Sequence, residues 1–215
     1  MNQAAAHADN STDKRRAPTR EDQVQERRRS LIEAALTVIA RKGLAGFTMN
    51  DIAQEAGCSY GVVSFHFKSK EGITLAALDH MVEEYDRSLN RPEYDSPAAR
   101  LLGMIELDFD AEMSNAGHIA VFTDFWAESA RNPEYRRRCA ELKTRYDAIV
   151  KADIAALAEL RRIDLDPALV ARSLNALIDG LWISGQVFTT AGPAGRDMAK
   201  KACRFYLKAI FPDDF

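Results

Sequence analysis

Cysteine is scarce in this chain: Cys58, Cys139 and Cys203 are an odd number at wide spacing, with no C-x-x-C. That argues against both a disulfide framework and a zinc site. Glycine (11) and proline (7) are few, which rules out a collagen-like or wholly disordered chain, while 47% hydrophobic residues in a length of 215 suffice to bury a core, in one domain or two small ones. No apolar run approaches the roughly 18 residues needed to cross a bilayer, and the polar start Met1-Asn2-Gln3 lacks a charged region followed by an apolar one. The expectation is a cytoplasmic protein with no membrane partner. Catalytic signatures are missing too: there is no G-x-S-x-G, G-x-x-x-x-G-K-[ST], H-E-x-x-H or G-x-G-x-x-G after a strand. His7, His66, His80 and His118 are scattered. Glu106, Asp108, Asp110 and Glu112 stand two apart, which on a helix spreads them over different faces. No enzyme activity, metal or cofactor is expected.

The net charge of −3 gives no hint of an anionic partner, but it is unevenly spread. Residues 14 to 70 hold 11 basic and 6 acidic side chains, a net +5, against −2 over the first thirteen residues and −6 over residues 71 to 215. A basic N-terminal third on an acidic body points to an anionic partner for one part only, although solvated helix faces can carry such charge by chance.

Residues 1 to 20 are polar, without periodicity, and end in Lys14-Arg15-Arg16-Ala17-Pro18, so they read as a disordered tail. From Asp22 to Lys42, Leu31, Ile32, Ala35, Leu36 and Ile39 recur at helical spacing, and Gly43 follows as a stop. Thr48-Met49-Asn50-Asp51 offers a variant capping box that opens a short helix with Met49, Ile52, Ala53 and Ala56 as its apolar set, ended by Gly57. Ser59 can cap a third helix over Tyr60 to Phe67, with Val63 and Phe67 inward, and Ser69-Lys70-Glu71 opens a fourth. Two short helices joined at a glycine, behind a basic approach, have the layout of a helix-turn-helix, whose second helix enters the major groove.

The run Thr48 to Gly72, with its Ile52-Ala53, Ala56-Gly57, Ser59-x-Gly61, His66-Phe67 and Ser69-Lys70-Glu71, resembles the signature of TetR-family transcriptional regulators. The resemblance implies an all-α homodimer: a three-helix DNA-binding unit over residues 25 to 85, then a helical ligand-binding and dimerisation domain over 86 to 215. It also implies a regulator, most simply a repressor, that binds a near-palindromic operator in double-stranded DNA and is released by a small-molecule effector. The alternative is a helical ligand-binding or interaction protein without specific DNA binding. The implied DNA contacts are Thr48, Asn50, Ser59, Tyr60, Gly61, Val62, Ser64, His66 and Lys70. Thr48 suits a phosphate at a helix N-terminus, although capping alone would explain it; Tyr60 opens the recognition helix; Gly61 allows close backbone approach; His66 and Lys70 carry donors toward phosphate. Two positions depart from the family pattern. Ser64 stands where an aromatic is common, and Val62 where Thr is frequent. Cys58 replaces a usual Val and reads as a small apolar residue.

The body reads helical nearly throughout. Breaks fall at Arg91 to Pro97 and Ser114 to Gly117, with helices from Pro97 to about Met113, Ala120 to Ser129, Glu134 to Leu160, Pro167 to about Thr190 and Arg196 to Phe211. Leu174, Leu177, Ile178, Leu181, Trp182, Gly185 and Phe188 form a wide apolar stripe beside a small-residue row, Ala176, Gly180 and Ser184. A wide stripe wants a partner on each side, and the family pattern makes Leu174, Leu177, Ile178, Leu181 and Gly185, with Phe205 of the last helix, candidates for a four-helix dimer interface. An intramolecular core would use the same pattern. Phe122, Phe125 and Trp126, with the run Leu177 to Trp182, bear a looser second resemblance to the ligand domain of choline-responsive repressors of betaine synthesis. A cationic, choline-like effector is implied, held by aromatic faces and a carboxylate drawn from Asp108, Glu112, Phe122, Phe125, Trp126, Tyr146 and Trp182, with Asp124 a further carboxylate. Aromatic residues at helical spacing equally suit a packed core.

Overall fold

The computed structural model describes residues 19–89, 94–187 and 192–215; residues 1–18 of the N-terminal tail, Arg91-Pro92-Glu93 and the Phe188 to Thr190 end of the penultimate helix lie outside them, while Thr19 and Arg20, read as the end of the tail, belong to the start of the first helix. The described residues form helices α1 (Arg20–Gly46), α2 (Met49–Glu55), α3 (Tyr60–Phe67), α4 (Lys70–Leu89), α5 (Pro97–Asp108), α6 (Ala116–Ser129), α7 (Pro133–Arg161), α8 (Pro167–Val187) and α9 (Pro193–Ile210). The fold is all-α.

Helix starts follow local hydrogen-bond chemistry. Thr19 and Thr48 each form a complete capping box, with Asp22 and Asp51 returning a carboxylate to the cap backbone. Thr19 therefore opens α1 slightly ahead of the Asp22 read from periodicity. Gly43 does not stop α1 but kinks it: its φ of 73° lies in the left-handed region open to glycine, and helix resumes to Gly46. α5 ends at Asp108, five residues before Met113. The Asp110 carboxylate accepts the amides of Glu112 and Met113, both at 2.7 Å, and this local turn competes with helix. Asn115 then caps α6, so Gly117 lies inside a helix.

The core is continuous. Leu31, Val38, Ile52, Val63, Ile73 and Leu78 fill the N-terminal unit, and Leu101, Ile105, Phe125, Ile154, Leu174 and Leu207 fill the body. α1 packs on α2, α4 and α6; α7 packs on α4, α5, α6 and α8; α8 packs on α9. Two elements thus join the halves, α4 by continuing out of the N-terminal unit and α6 by lying against α1. Arg138 with Asp79, and Arg145 with Asp86 at 2.5 Å, hold α7 to α4.

One close approach depends on glycine. A Cβ at Gly72 would sit 2.3 Å from the Phe67 carbonyl oxygen, so the end of α3 and the start of α4 pack with no room for a side chain. That contact sets the recognition helix against the connector.

Candidate functional site

The eight-residue α3 buries Val63 and Phe67 and turns Tyr60, Gly61 and Phe65 outward, with Val62, Ser64 and His66 half-buried. Tyr60 is 52% exposed and Phe65 76%. Phe65 was not legible as a site residue, because it stands between the inward positions Val63 and Phe67 in an apolar run. Only the helical phase separates it from them. At Gly61 a Cβ would meet nothing closer than Ser59 Oγ at 3.7 Å, so nothing among the described residues demands glycine there.

Two implied phosphate contacts, Lys70 and Thr48, are held internally. Lys70 Nζ donates to the Ala45 carbonyl at 3.1 Å and lies 4.3 Å from the Phe47 ring centroid, clamping α4 onto the α1–α2 connection. The Thr48 hydroxyl donates to the Asp51 carboxylate and accepts its amide, so capping uses it in both directions. Ser59 stands at the N-cap of α3 without a side-chain capping bond and is exposed, as is Asn50 on α2. Arg28 stacks on Phe67 at 4.3 Å and donates to the His66 carbonyl at 3.2 Å, tying α3 to α1. Burial, then the charges of Arg28 and Arg27, lower the His66 pKa, favouring neutral imidazole with a single N–H.

A cavity opens in the body between α4, α6, α7 and α8. Phe122, Trp126, Trp182 and Tyr146 form its aromatic wall, with Asp108 at the buried end and Lys143 and Asp179 toward the mouth. Trp126 and Trp182 stack with centroids 6.5 Å apart, and Phe122 meets Trp182 edge-on at 5.8 Å. Asp108 is 2% exposed and accepts the hydroxyls of Tyr85 and, at 2.6 Å, Tyr146. Its carbonyl accepts the Trp182 indole N–H at 2.9 Å. Burial pushes the Asp108 carboxyl up to about 6, against the opposing pull of the two tyrosine hydroxyls and the Lys143 charge. Asn175 also lines the cavity. Its amide nitrogen donates to Asp147, which fixes the flip, and its buried Oδ1 has no hydrogen-bond partner among the described residues.

Five implied ligand residues therefore meet at one cavity: Asp108, Phe122, Trp126, Tyr146 and Trp182. Three do not. Glu112 is exposed in the turn that ends α5, because the helix stops short of it. Phe125 packs edge-on against Tyr135 at 5.6 Å, on the side of α6 away from the cavity wall. Asp124 accepts the Leu44 amide at 3.0 Å, beside the Gly43 kink. Tyr85, Lys143, Asn175 and Asp179 were missed, since they join the site only through the packing of α4, α7 and α8.

The α8 stripe divides. Leu174 and Ile178 are buried within the subunit, so these two interface candidates belong to its own core; Leu177, Leu181 and Gly185 are half-buried. The opposite side of α8 exposes Leu169, Ala176, Gly180 and Ile183, and α9 adds Met198 and Phe205, the latter 77% exposed. Around Gly180 there is open space, with no atom of another described element within 4 Å of an added Cβ.

Comparisons with known proteins agree with this layout. Residues 31–77 match the family model "Bacterial regulatory proteins, tetR family", and residues 97–212 match "BetI-type transcriptional repressor, C-terminal". The HTH-type transcriptional regulator BetI of Paraburkholderia phytofirmans is 33% identical over 165 residues, 74% of this chain and 81% of the relative. The BetI of Burkholderia thailandensis is 32% identical over 189 residues, 86% of this chain and 93% of the relative. A transcriptional regulator from Saccharomonospora viridis, solved in complex with choline, superposes with a TM-score of 0.76 at 27% identity, covering 86% of this chain and 96% of that one. A TetR regulator from Haloarcula marismortui, at 21% identity and a TM-score of 0.77, shares the fold.

Proposed function

We propose, from the premise that this chain belongs to the TetR family and carries a BetI-type C-terminal domain, that it is a dimeric repressor which a small organic cation releases from its operator. A transcriptional regulator rather than an enzyme is what the family establishes; the dimer, the operator and the effector are the proposal. The observation that carries the effector class is the aromatic wall of Phe122, Trp126, Tyr146 and Trp182 around the buried carboxylate of Asp108. Ring faces attract a cation and the carboxylate neutralises it in a desolvated setting. Asn175 Oδ1, buried with no donor among the described residues, suits a hydroxyl on the same molecule.

The exposed row Leu169, Ala176, Gly180 and Ile183, with Met198 and Phe205, supports pairing of two subunits through α8 and α9. Two recognition helices then have to lie about 34 to 36 Å apart, or a multiple of that, to meet successive major grooves. Leu78, Val82 and Tyr85 of α4 and Phe122 and Trp126 of α6 line the cavity. These are the helices that also contact α1 of the DNA-reading unit. A ligand that binds better to a wider-spaced arrangement of α4 and α6 lowers operator affinity; equal binding to both arrangements would change nothing.

The test is a footprint and gel shift on the DNA upstream of the coding region, with and without choline. A salt-sensitive complex on a near-palindromic site, weakened by millimolar choline, is the expected result. Failure to bind any specific DNA favours the alternative of a helical ligand-binding protein.

A further inference from the structure

The cavity already contains a cation. Lys143 reaches in from α7, with its ammonium 5.7 Å from the Trp126 ring centroid and 5.9 Å from that of Tyr146, and pairs with Asp179 of α8 at 2.5 Å. Little room is left beside it. The space left in the cavity is about 40 Å³. A few waters fit, and an organic cation does not.

We propose that Lys143 is the resident occupant of the aromatic box and that an effector cation binds by displacing its ammonium, so that this residue sets both the affinity and the charge selectivity of the site. The inference rests on the cationic-effector reading above. Its physical basis is charge balance. The lining holds two carboxylates, Asp108 and Asp179, against the one ammonium of Lys143, so exchanging that ammonium for a monovalent cation leaves the net −1 unchanged, whereas exchanging it for a zwitterion leaves −2. A second cation beside Trp126 and Tyr146 would stand within a few ångströms of the ammonium, in a setting that screens poorly. Repulsion therefore drives Lys143 out. The side chain is 37% exposed at the mouth and has a path to solvent. Leaving costs it the ion pair with Asp179 and its place over two rings, so withdrawal also removes a tie between α7 and α8.

The test is calorimetric titration of the full-length protein and its K143M, K143Q and K143R variants with choline, tetramethylammonium and trimethylglycine. Thermal unfolding of each variant verifies that it is folded. Removing the charge in K143M and K143Q is expected to tighten choline and tetramethylammonium binding by about tenfold, the order of a cation–π contact and a half-exposed ion pair no longer opposing entry. K143R keeps the charge and is expected to bind no tighter than the parent. Equal or weaker onium binding by both neutral variants overturns the proposal. So does trimethylglycine binding that is lost in K143M while choline is unaffected, because Lys143 would then anchor a carboxylate. If neither the parent nor the neutral variants bind any of the three, the cationic-effector reading fails, and this inference with it.

Discussion

Asp108→Asn is expected to make the subunit more stable at pH 7.5 while weakening choline binding roughly a hundredfold, the scale of losing a charge partner in a poorly screened cavity. The stabilisation follows from linkage. Burial raises the Asp108 pKa from 3.8 to about 6, so the folded protein binds this proton more tightly than the unfolded chain does. Stability then increases as pH falls from about 6 toward 3.8 and is penalised above that window, by up to about 3 kcal/mol at 1.36 kcal/mol per unit. Asparagine removes the titration and can still accept one tyrosine hydroxyl and donate to the other. The variant should therefore gain about 1 to 3 kcal/mol above pH 6, several degrees in unfolding temperature, with the gain fading toward pH 4. Denaturant melts of both proteins from pH 4 to 8 measure it. A destabilised variant at pH 7.5 would mean that the carboxylate serves the Tyr85–Tyr146 contact and not a ligand.

A second large effect is expected at the junction of the halves. Asp124 stands on α6, the helix that carries Phe122 and Trp126, and accepts the Leu44 amide just past the kink in α1. The kink fits this contact closely, since a Cβ at Gly43 would lie 3.3 Å from the same carboxylate oxygen. Asp124→Ala orphans the Leu44 amide and is expected to cost about 1 to 3 kcal/mol. Its larger effect is on response. Choline affinity should stay within a few-fold of the parent, while the ligand-induced loss of operator affinity, about 5- to 150-fold in a typical coupled pair of sites, falls close to none. Asp124→Asn keeps an acceptor and is expected to retain most of the response. Operator titrations at zero and saturating choline decide this, and full release by the Ala variant would place the coupling elsewhere, with α4 the next candidate.

The helical phase in Leu31 to Ile39 and the capping sequence at Thr48 made the N-terminal unit readable, because local chemistry decides both. Asp110 misled for the opposite reason. Its carboxylate ends α5 by bonding two amides, an outcome that an apolar period does not encode. In the cavity, Phe122, Trp126 and Trp182 were visible as aromatics on two helices. Tyr85, Lys143 and Asp179 were not, since a tyrosine, a lysine and an aspartate on three different helices look like surface or core residues until packing brings them together. The α8 stripe could be read as a dimer interface or as an intramolecular core, because periodicity does not tell the two flanks apart. Leu174 and Ile178 complete the subunit, and the small residues on the other flank are left uncovered.

The internal commitments of the basic residues bear on how the proposed DNA binding responds to salt. Arg28, Arg29, Arg41, Lys42 and Lys70 all hold partners within the subunit, leaving Arg20, Arg27 and Lys68 as the cations of residues 19–70 with no ion pair or hydrogen bond among the described residues. Three such cations per subunit are roughly six per dimer, which would release about five counterions and give a slope near −5 in log affinity against log salt. A steeper slope would count the contribution of Lys14, Arg15 and Arg16, at about 0.9 per phosphate reached. The N-terminal arm would then be measurable as an exponent.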